Sequence, residues 1–509
     1  MARLSQRRAQ RKQGGGVSQQ PFRRLRNPYP PVTVLSEDQI ESIHHTSLRI
    51  LEEIGLQFLD DEAISILRQH GASIDSETKM VRLDRDLVLE KLKTVPSEIA
   101  LEARNPVRNV VLGGNAICFS SVAGPPNCSD LDRGRRPGTL ADLQELLKLA
   151  QSLNAIHLLA GAPVAAIDQP AATRHLDVYH SYALLTDRVW QASALGRERI
   201  ADGIAINAIS RGLRLEQMPD HAGLLTIVNT NSPRRVDGPM LQGLMEMARH
   251  GQPVVVTPFT LAGAMSPVSL AGALSLQNAE ALALIAFIQM VRPGAPAVYG
   301  GFTSNVDMRT GAPAFGTPEY AKAVLAGGQL TRRYRIPYRS SNVNSSPAVD
   351  AQAAYESAMS LWATVLAHTN LIYHGAGWLE GGLVASYEKM VLDAELLQEM
   401  AEILQPLEVS EDTLALDAIR EVGPGGHFFG AAHTLARYET AFYRPMLSDW
   451  RNFETWREAG AKTAAERANA IWKQLLADYE PPPLDPAIRE ALDDYVARRR
   501  PLLEKNPPP

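Results

Sequence analysis

The stretch "AICFSSVAG" (116–124) marks the point where this chain changes character. Before it, residues 36–104 read as helical. From it onward, short apolar or small-residue runs alternate with helical stretches. The runs continue as "IHLLAGAPV" (156–164), "RVWQASAL" (188–195), "LLTIVNTN" (224–231) and "PVVVTPFTLAG" (253–263). They end with "PAVYGGFT" (296–303), "IPYRSSN" (336–342) and "LIYHGAGW" (371–378). Alternation of this kind predicts parallel strands joined by crossover helices. Eight runs of near-continuous apolar character predict a (β/α)8 TIM barrel, class α/β. A doubly wound open sheet is the alternative, but no GxGxxG fingerprint follows any run.

Around that core the chain divides into four parts. Residues 1–30 form a basic disordered or extended arm, with eight Lys or Arg in the first 26 residues and glycines at 14–16. No apolar region follows it, so it is not a secretory signal. Residues 31–110 read as a helical N-terminal subdomain. Ser36 and Gln39 make a capping box, the apolar stripe Ile40, Ile43, Leu48, Leu51 and Ile54 follows, and Gly55 closes the helix. "DDEAISILRQHG" is a second helix ending at Gly71. The barrel occupies 111–407. Residues 408–509 form a helical C-terminal extension with a Gly-rich loop, "EVGPGGHFFGAAHT" (421–434). Within the barrel, Asp350 reads as the N-cap of a helix whose buried stripe is Ala354, Ala358, Leu361, Trp362 and Val365.

Composition excludes several function classes. Hydrophobic residues make up 45% of the 509 and charged residues 21%, with net charge -5, so neither nucleic acid nor a membrane is an expected partner. The longest apolar run, Ala279–Val291, contains Glu280 and Gln289 and is too short to span a bilayer. The two cysteines, Cys118 and Cys128, provide no disulfide framework and fit a reducing, cytoplasmic setting.

A barrel of this class carries its site at the C-terminal ends of the strands. Those positions hold small hydroxyl and amide side chains interleaved with aromatics, and almost no carboxylate. HExxH and CxxC spacings are absent, as are a P-loop and a GxSxG elbow. His427 and His433, six apart, read as structural histidines rather than a metal pair, so no metal is expected. A Schiff-base lysine is missing from every strand end, which counts against an aldolase.

What these positions suit is a ligand needing little proton transfer. Phe259, Phe302, Trp378, Phe428 and Phe429 present ring faces of the kind that attract a quaternary ammonium group, with ordinary packing as the alternative for each. Arg339, directly after a strand, has the fork geometry for a carboxylate. His374 and Glu380 complete the strand-end set. Gly425, Gly426 and His427 allow close backbone approach to a ligand.

Three long strings carry a family resemblance: "GPGGHFFGAAHTLARYETAFYRPMLSDW" (423–450), "VYGGFTSNVDMRTGAPAFGTPE" (298–319) and "VDAQAAYESAMSLWATVLAHTNLIYHGAGWLEGGL" (349–383). With them the chain resembles the trimethylamine methyltransferase family, and its relatives lacking pyrrolysine, over nearly its whole length from about residue 30. The resemblance implies a barrel opening on a methylamine pocket and an oligomer of like chains. It also implies a separate corrinoid (cobalamin) protein whose Co(I) accepts the methyl. In pyrrolysine-bearing relatives that residue projects from the segment after the seventh strand, here "RSSNVNSSPAVDAQ". The matching place falls at Asn342–Ser346, making Asn342, Asn344 and Ser345 the candidate catalytic residues. An ordinary polar side chain there suits a quaternary amine such as glycine betaine, because a neutral tertiary amine leaves without further activation. Methyl transfer to tetrahydrofolate, another methylated substrate, and a betaine-binding barrel without turnover are the alternatives.

Overall fold

The computed structural model describes residues 16–507. Most of the basic charge of the N-terminal arm lies in residues 1–15, outside the described residues. From residue 16 the arm is extended and docked. Leu25–Arg26 pairs antiparallel with Ala116–Ile117, and the backbone O of Arg23 lies 2.9 Å from His157 Nε2.

Seven strands pair in parallel, in the order Ala116–Ser121, Leu371–Ala376, Tyr338–Ser341, Ala297–Gly300, Val254–Val256, Leu224–Val228 and Trp190–Ser193. Each falls inside one of the apolar runs. The run 156–164 contributes single bridges instead: Ser120 pairs with Leu158, and Leu159 with Trp190. Leu158 and Leu159 thus stand between the two ends of the parallel series, and the sheet curls. Eight helices alternate with these segments, from Leu140–Ser152 to Tyr387–Ile403. Thr139, Asp237, Thr317, Asp350 and Ser386 cap five of them through side-chain acceptors.

The alternation of side chains along each strand separates two apolar layers. Cys118, Leu158, Val189, Leu225, Val255, Val298 and Leu371 point inward and pack on Leu101 and Leu112. Those leucines belong to the hairpin Glu98–Leu101/Val110–Gly113, which meets this inward layer. The outward layer meets the helices. The longest helix, Leu270–Val291, is long and apolar enough to cross a membrane by length and composition, yet 89% of its apolar window is buried. It is a core helix.

Three expectations need correction. Residues 31–110 are not purely helical: alongside helices Glu37–Arg49, Asp61–Gln69 and Arg85–Leu92 run short strands, including Leu56–Phe58, Ser73–Asp75 and Met80–Arg82. Strands of three residues are too short for an alternating pattern to register. Ile54 is exposed rather than part of the buried stripe. On helix Ala351–Leu366 the expected stripe holds at buried Leu361 and Val365 and at half-buried Ala354 and Ala358, but not at Trp362. Glu356, Ser357 and Ser360 point inward, while Trp362 points out with Tyr355 and Met359.

The C-terminal extension clamps the helical shell. Ala464–Ala477 packs on Tyr387–Ile403 and on Leu140–Ser152. Pro486–Lys505 packs on Arg174–Leu185 and Arg197–Ser210, where Arg500 pairs with Asp177 at 2.6 Å.

Leu158 joins the inward layer at the bridge between Ser120 and the neighbouring run. Leu158→Ala is expected to shift the urea-unfolding midpoint by the equivalent of ~2–5 kcal/mol. A shift below ~1 kcal/mol would show that the layer is not close-packed there.

Candidate functional site

A cavity of about 590 Å3 opens where the parallel strands end. Gln191, Ser193, Asn229, Thr257, Phe259, Phe302, Arg339, Tyr373 and His374 come to it from the parallel strands and the segments just after them, and His175 and Tyr179 from helix Arg174–Leu185. Its charged lining is Arg174, Arg199 and Arg339, with no carboxylate among the described residues that line it.

Arg339 is the group that sets the electrostatics. Its strand pairs with neighbours on both sides, so the backbone fixes where the side chain leaves. The guanidinium carbon lies 4.7 Å from the Tyr373 ring centre and 5.2 Å from that of Phe302. Nε and Nη1 are buried without a hydrogen-bond partner. Burial pushes its pKa down to about 10, so the group remains charged at neutral pH. A desolvated cation without a counter-ion is unfavourable by several kcal/mol, and an anionic ligand group would offset that cost.

The rings around it form one cluster. Phe302 is the hub, 5.1 Å from Phe259, 5.7 Å from Phe315 and 6.3 Å from Trp378. Trp378 is not in the cavity wall but directly behind it, stacked on His374 at 4.8 Å and 8°. His374 sits in a strand irregularity with φ +52°. Burial, helped by the Arg339 charge, holds its pKa well below the ordinary histidine range, so it is neutral.

The segment after the Tyr338–Ser341 strand supports this wall from behind. Asn342, Asn344 and Ser345 do not line the cavity. Asn342 Nδ2 donates to Gly375 O at 3.0 Å, and Asn344 Nδ2 to Ser357 Oγ at 3.0 Å. Ser345 Oγ accepts from Phe315 N at 2.8 Å. The Glu356 carboxylate accepts from the backbone N–H of Ser345 and Ser346, which explains why that helix turns polar residues inward. A buried ion pair continues the network: Lys389 Nζ lies 2.5 Å from Asp393 and 2.7 Å from Ser357 Oγ. Asp393 in turn accepts from Gly377 N at 2.8 Å, between His374 and Trp378.

Of the residues singled out from the sequence, Phe259, Phe302, Arg339 and His374 line the cavity. Glu380 lies outside it and binds Arg135 at 3.1 Å. Gly425, Gly426, His427 and Phe428 sit on an exposed excursion of the chain, away from the lining. Glycine content signals backbone freedom, not location. His175, Tyr179, Gln191 and Tyr373 were not legible: the first two come from an ordinary amphipathic helix, the others from mid-strand positions. His175 Nε2 is held by Asp202 at 2.8 Å, and Asp202 by Tyr495 OH and Arg499 of the C-terminal helix.

Breaking the buried pair leaves an unpaired charge, so Lys389→Met alone is expected to destabilise by ~3–5 kcal/mol. Lys389→Met with Asp393→Leu should recover much of that loss in thermal melts. If the single variant melts like the parent, the pair does not hold the wall.

The residues 2–503 match the family model "Trimethylamine methyltransferase (MTTB)". A glycine betaine methyltransferase of Desulfitobacterium hafniense (strain Y51) is 40% identical over 471 residues, covering 92% of this chain and 98% of that one. The trimethylamine methyltransferase MttB of D. hafniense (strain DSM 10664 / DCB-2) is 29% identical over 466 residues, covering 91% and 92%. Among solved structures, the hydroxylamine complex of MtmB matches with TM-score 0.47 and 9% identity, over 90% of this chain and 98% of that one. With the family model spanning nearly its whole length, this chain belongs to the trimethylamine methyltransferase family and is a methyltransferase.

Proposed function

We propose that this methyltransferase takes its methyl group from a quaternary amine that also carries a carboxylate, glycine betaine first among them. The methyl passes to a corrinoid held by a separate protein. One observation carries the substrate reading. Arg339 is a buried guanidinium with two unpartnered nitrogens, beside ring faces, in a cavity with no carboxylate among the described residues that line it. A cation without a carboxylate would meet the uncompensated charge of Arg339. A zwitterion answers it, with its carboxylate on the guanidinium and its trimethylammonium group against Phe259 and Phe302. The substrate named for the 40% identical relative supports the same choice.

The chemistry asks little more of the chain. A corrinoid bound to the partner supplies a Co(I) nucleophile. The N–CH3 bond breaks with its electron pair left on nitrogen, so dimethylglycine departs as a neutral tertiary amine and no proton is needed. The cavity contributes orientation and the removal of water from the ammonium group. Neutral His374 adds no charge to oppose the substrate. Asn342, Asn344 and Ser345 fit a positioning role through the hydrogen bonds behind the wall. The bridges at Leu158 and Leu159 support a closed (β/α)8 barrel, which would gather all eight strand ends around one mouth. The buried free thiols of Cys118 and Cys128 suit a reducing compartment.

Calorimetry tests the substrate reading. Glycine betaine should bind the parent protein, and choline, which lacks the carboxylate, much more weakly. Arg339→Met should lose ~2–3 kcal/mol of betaine affinity, ~30–150-fold, without loss of thermal stability, since the charge it removes opposes folding. Equal affinity for betaine and choline would reject the Arg339 role.

The pH dependence follows from the same group. Arg339 is cationic below about 10, so betaine affinity is expected to hold from neutral pH and fall as pH rises through about 10. In Arg339→Met that fall should be absent from titrations across the same range.

A further inference from the structure

Between buried Leu404 and buried Leu447 the chain leaves the body of the protein, and only Ala418 and Ala431 are buried along the way. The excursion is pinned at its return by Glu395, whose carboxylate accepts from the N–H groups of Met446, Leu447 and Ser448. It is not a polar loop. Phe429 and Phe442 are each 82% exposed, and Leu407 is 87% exposed. The rings of Phe428, Phe429, Tyr438 and Phe442 alone expose on the order of 500 Å2. With Leu407, Leu414, Leu416, Ile419 and Leu435, also exposed, the arm passes the ~800 Å2 per partner that a stable protein interface buries.

A second apolar surface lies at the other side of the same hinge. Helix Ala351–Leu366 turns the large apolar side chains of Tyr355, Met359 and Trp362 outward, while Glu356, Ser357 and Ser360 are buried beside Leu361 and Val365. Exposed Tyr29, Val32 and Ile403 extend that surface. Val32 N donates to Leu366 O at 3.0 Å, and Tyr29 OH to Ile403 O at 2.9 Å. Ile403 is also the last residue of the helix from which the arm departs.

We propose that the excursion is an exchange arm, and that its occupant is a second copy of this chain, each arm covering the Tyr355/Met359/Trp362 face of the other. An unrelated partner on the arm would leave the helix face bare, and the converse holds for a partner on the face. Two unsatisfied surfaces flanking one hinge, Gln405–Leu407, are what reciprocal exchange about a twofold axis needs.

Light scattering of the full chain after size exclusion should give the mass of two chains or a multiple of two. A single-chain mass across micromolar concentrations overturns the proposal, as does a chain that assembles only when a corrinoid protein is added. Phe429→Ser with Phe442→Ser, and separately Met359→Glu with Trp362→Glu, should each halve the mass while circular dichroism is unchanged. Mixing the two variants should restore it, because a mixed pair keeps one of its two arm–face contacts. Variants that retain the parent mass, or a mixture that stays monomeric, reject the arrangement. Amide exchange of the unmodified chain gives an answer independent of mutagenesis. Residues 411–442 should be protected in the assembly and lose protection on dilution, and lack of protection at every concentration contradicts the exchange.

Discussion

Arg339 leaves a doubly paired strand between the rings of Phe302 and Tyr373, and among the described residues that line the cavity no carboxylate offsets its charge. A buried, unpaired guanidinium is tolerated only where surrounding structure over-determines its position. Here that determination comes from the parallel sheet itself. The inward layer of Leu158, Leu225, Val255 and Val298 packs against the hairpin leucines, and the cavity is left at the strand ends. The charge therefore faces a space where a ligand can answer it.

Holding the wall of that space takes polar groups in unusual places. Glu356, Ser357, Lys389 and Asp393 are buried behind the cavity, and together they fix the backbone of Ser345, Ser346 and Gly377. Each group is satisfied by another, as buried polar networks must be. One consequence reaches the outer surface. With its polar residues committed inward, helix Ala351–Leu366 presents Tyr355, Met359 and Trp362 outward. The same substitution of roles that supports the site creates an apolar face needing a cover.

Much of the fold was legible because apolar runs report the sheet directly. Seven of the eight runs contain paired strands, and most limits agree to within a few residues: "IPYRSSN" brackets Tyr338–Ser341, and "LIYHGAGW" brackets Leu371–Ala376, while "PVVVTPFTLAG" runs past Val254–Val256 into a second short strand, Leu261–Ala262. The run at 156–164 shows the limit of that signal, since it yields only two bridges. In the site, Phe259, Phe302, Arg339 and His374 were legible because strand ends of a parallel α/β fold converge. Phe315 and Tyr373 were not, since nothing in their local pattern distinguishes them from loop or core rings. Trp378 reads as a cage member from the sequence but stands one layer back, stacked on His374, which lies in a register shift with φ +52° that no local pattern reports.

Local periodicity and long matching strings are properties of the chain alone, and they are enough to read the alternation of strands and helices from residue 116, the family, and the kinds of side chain at each strand end. The packing of the chain is what leaves Arg339 without a counter-ion among the described residues, sets Asn342, Asn344 and Ser345 behind the cavity rather than in its lining, and leaves the glycine-rich segment exposed. Each of these depends on what lies across a gap from the residue concerned. Desolvation and pairing are set by neighbours distant in sequence, and no local pattern reports them.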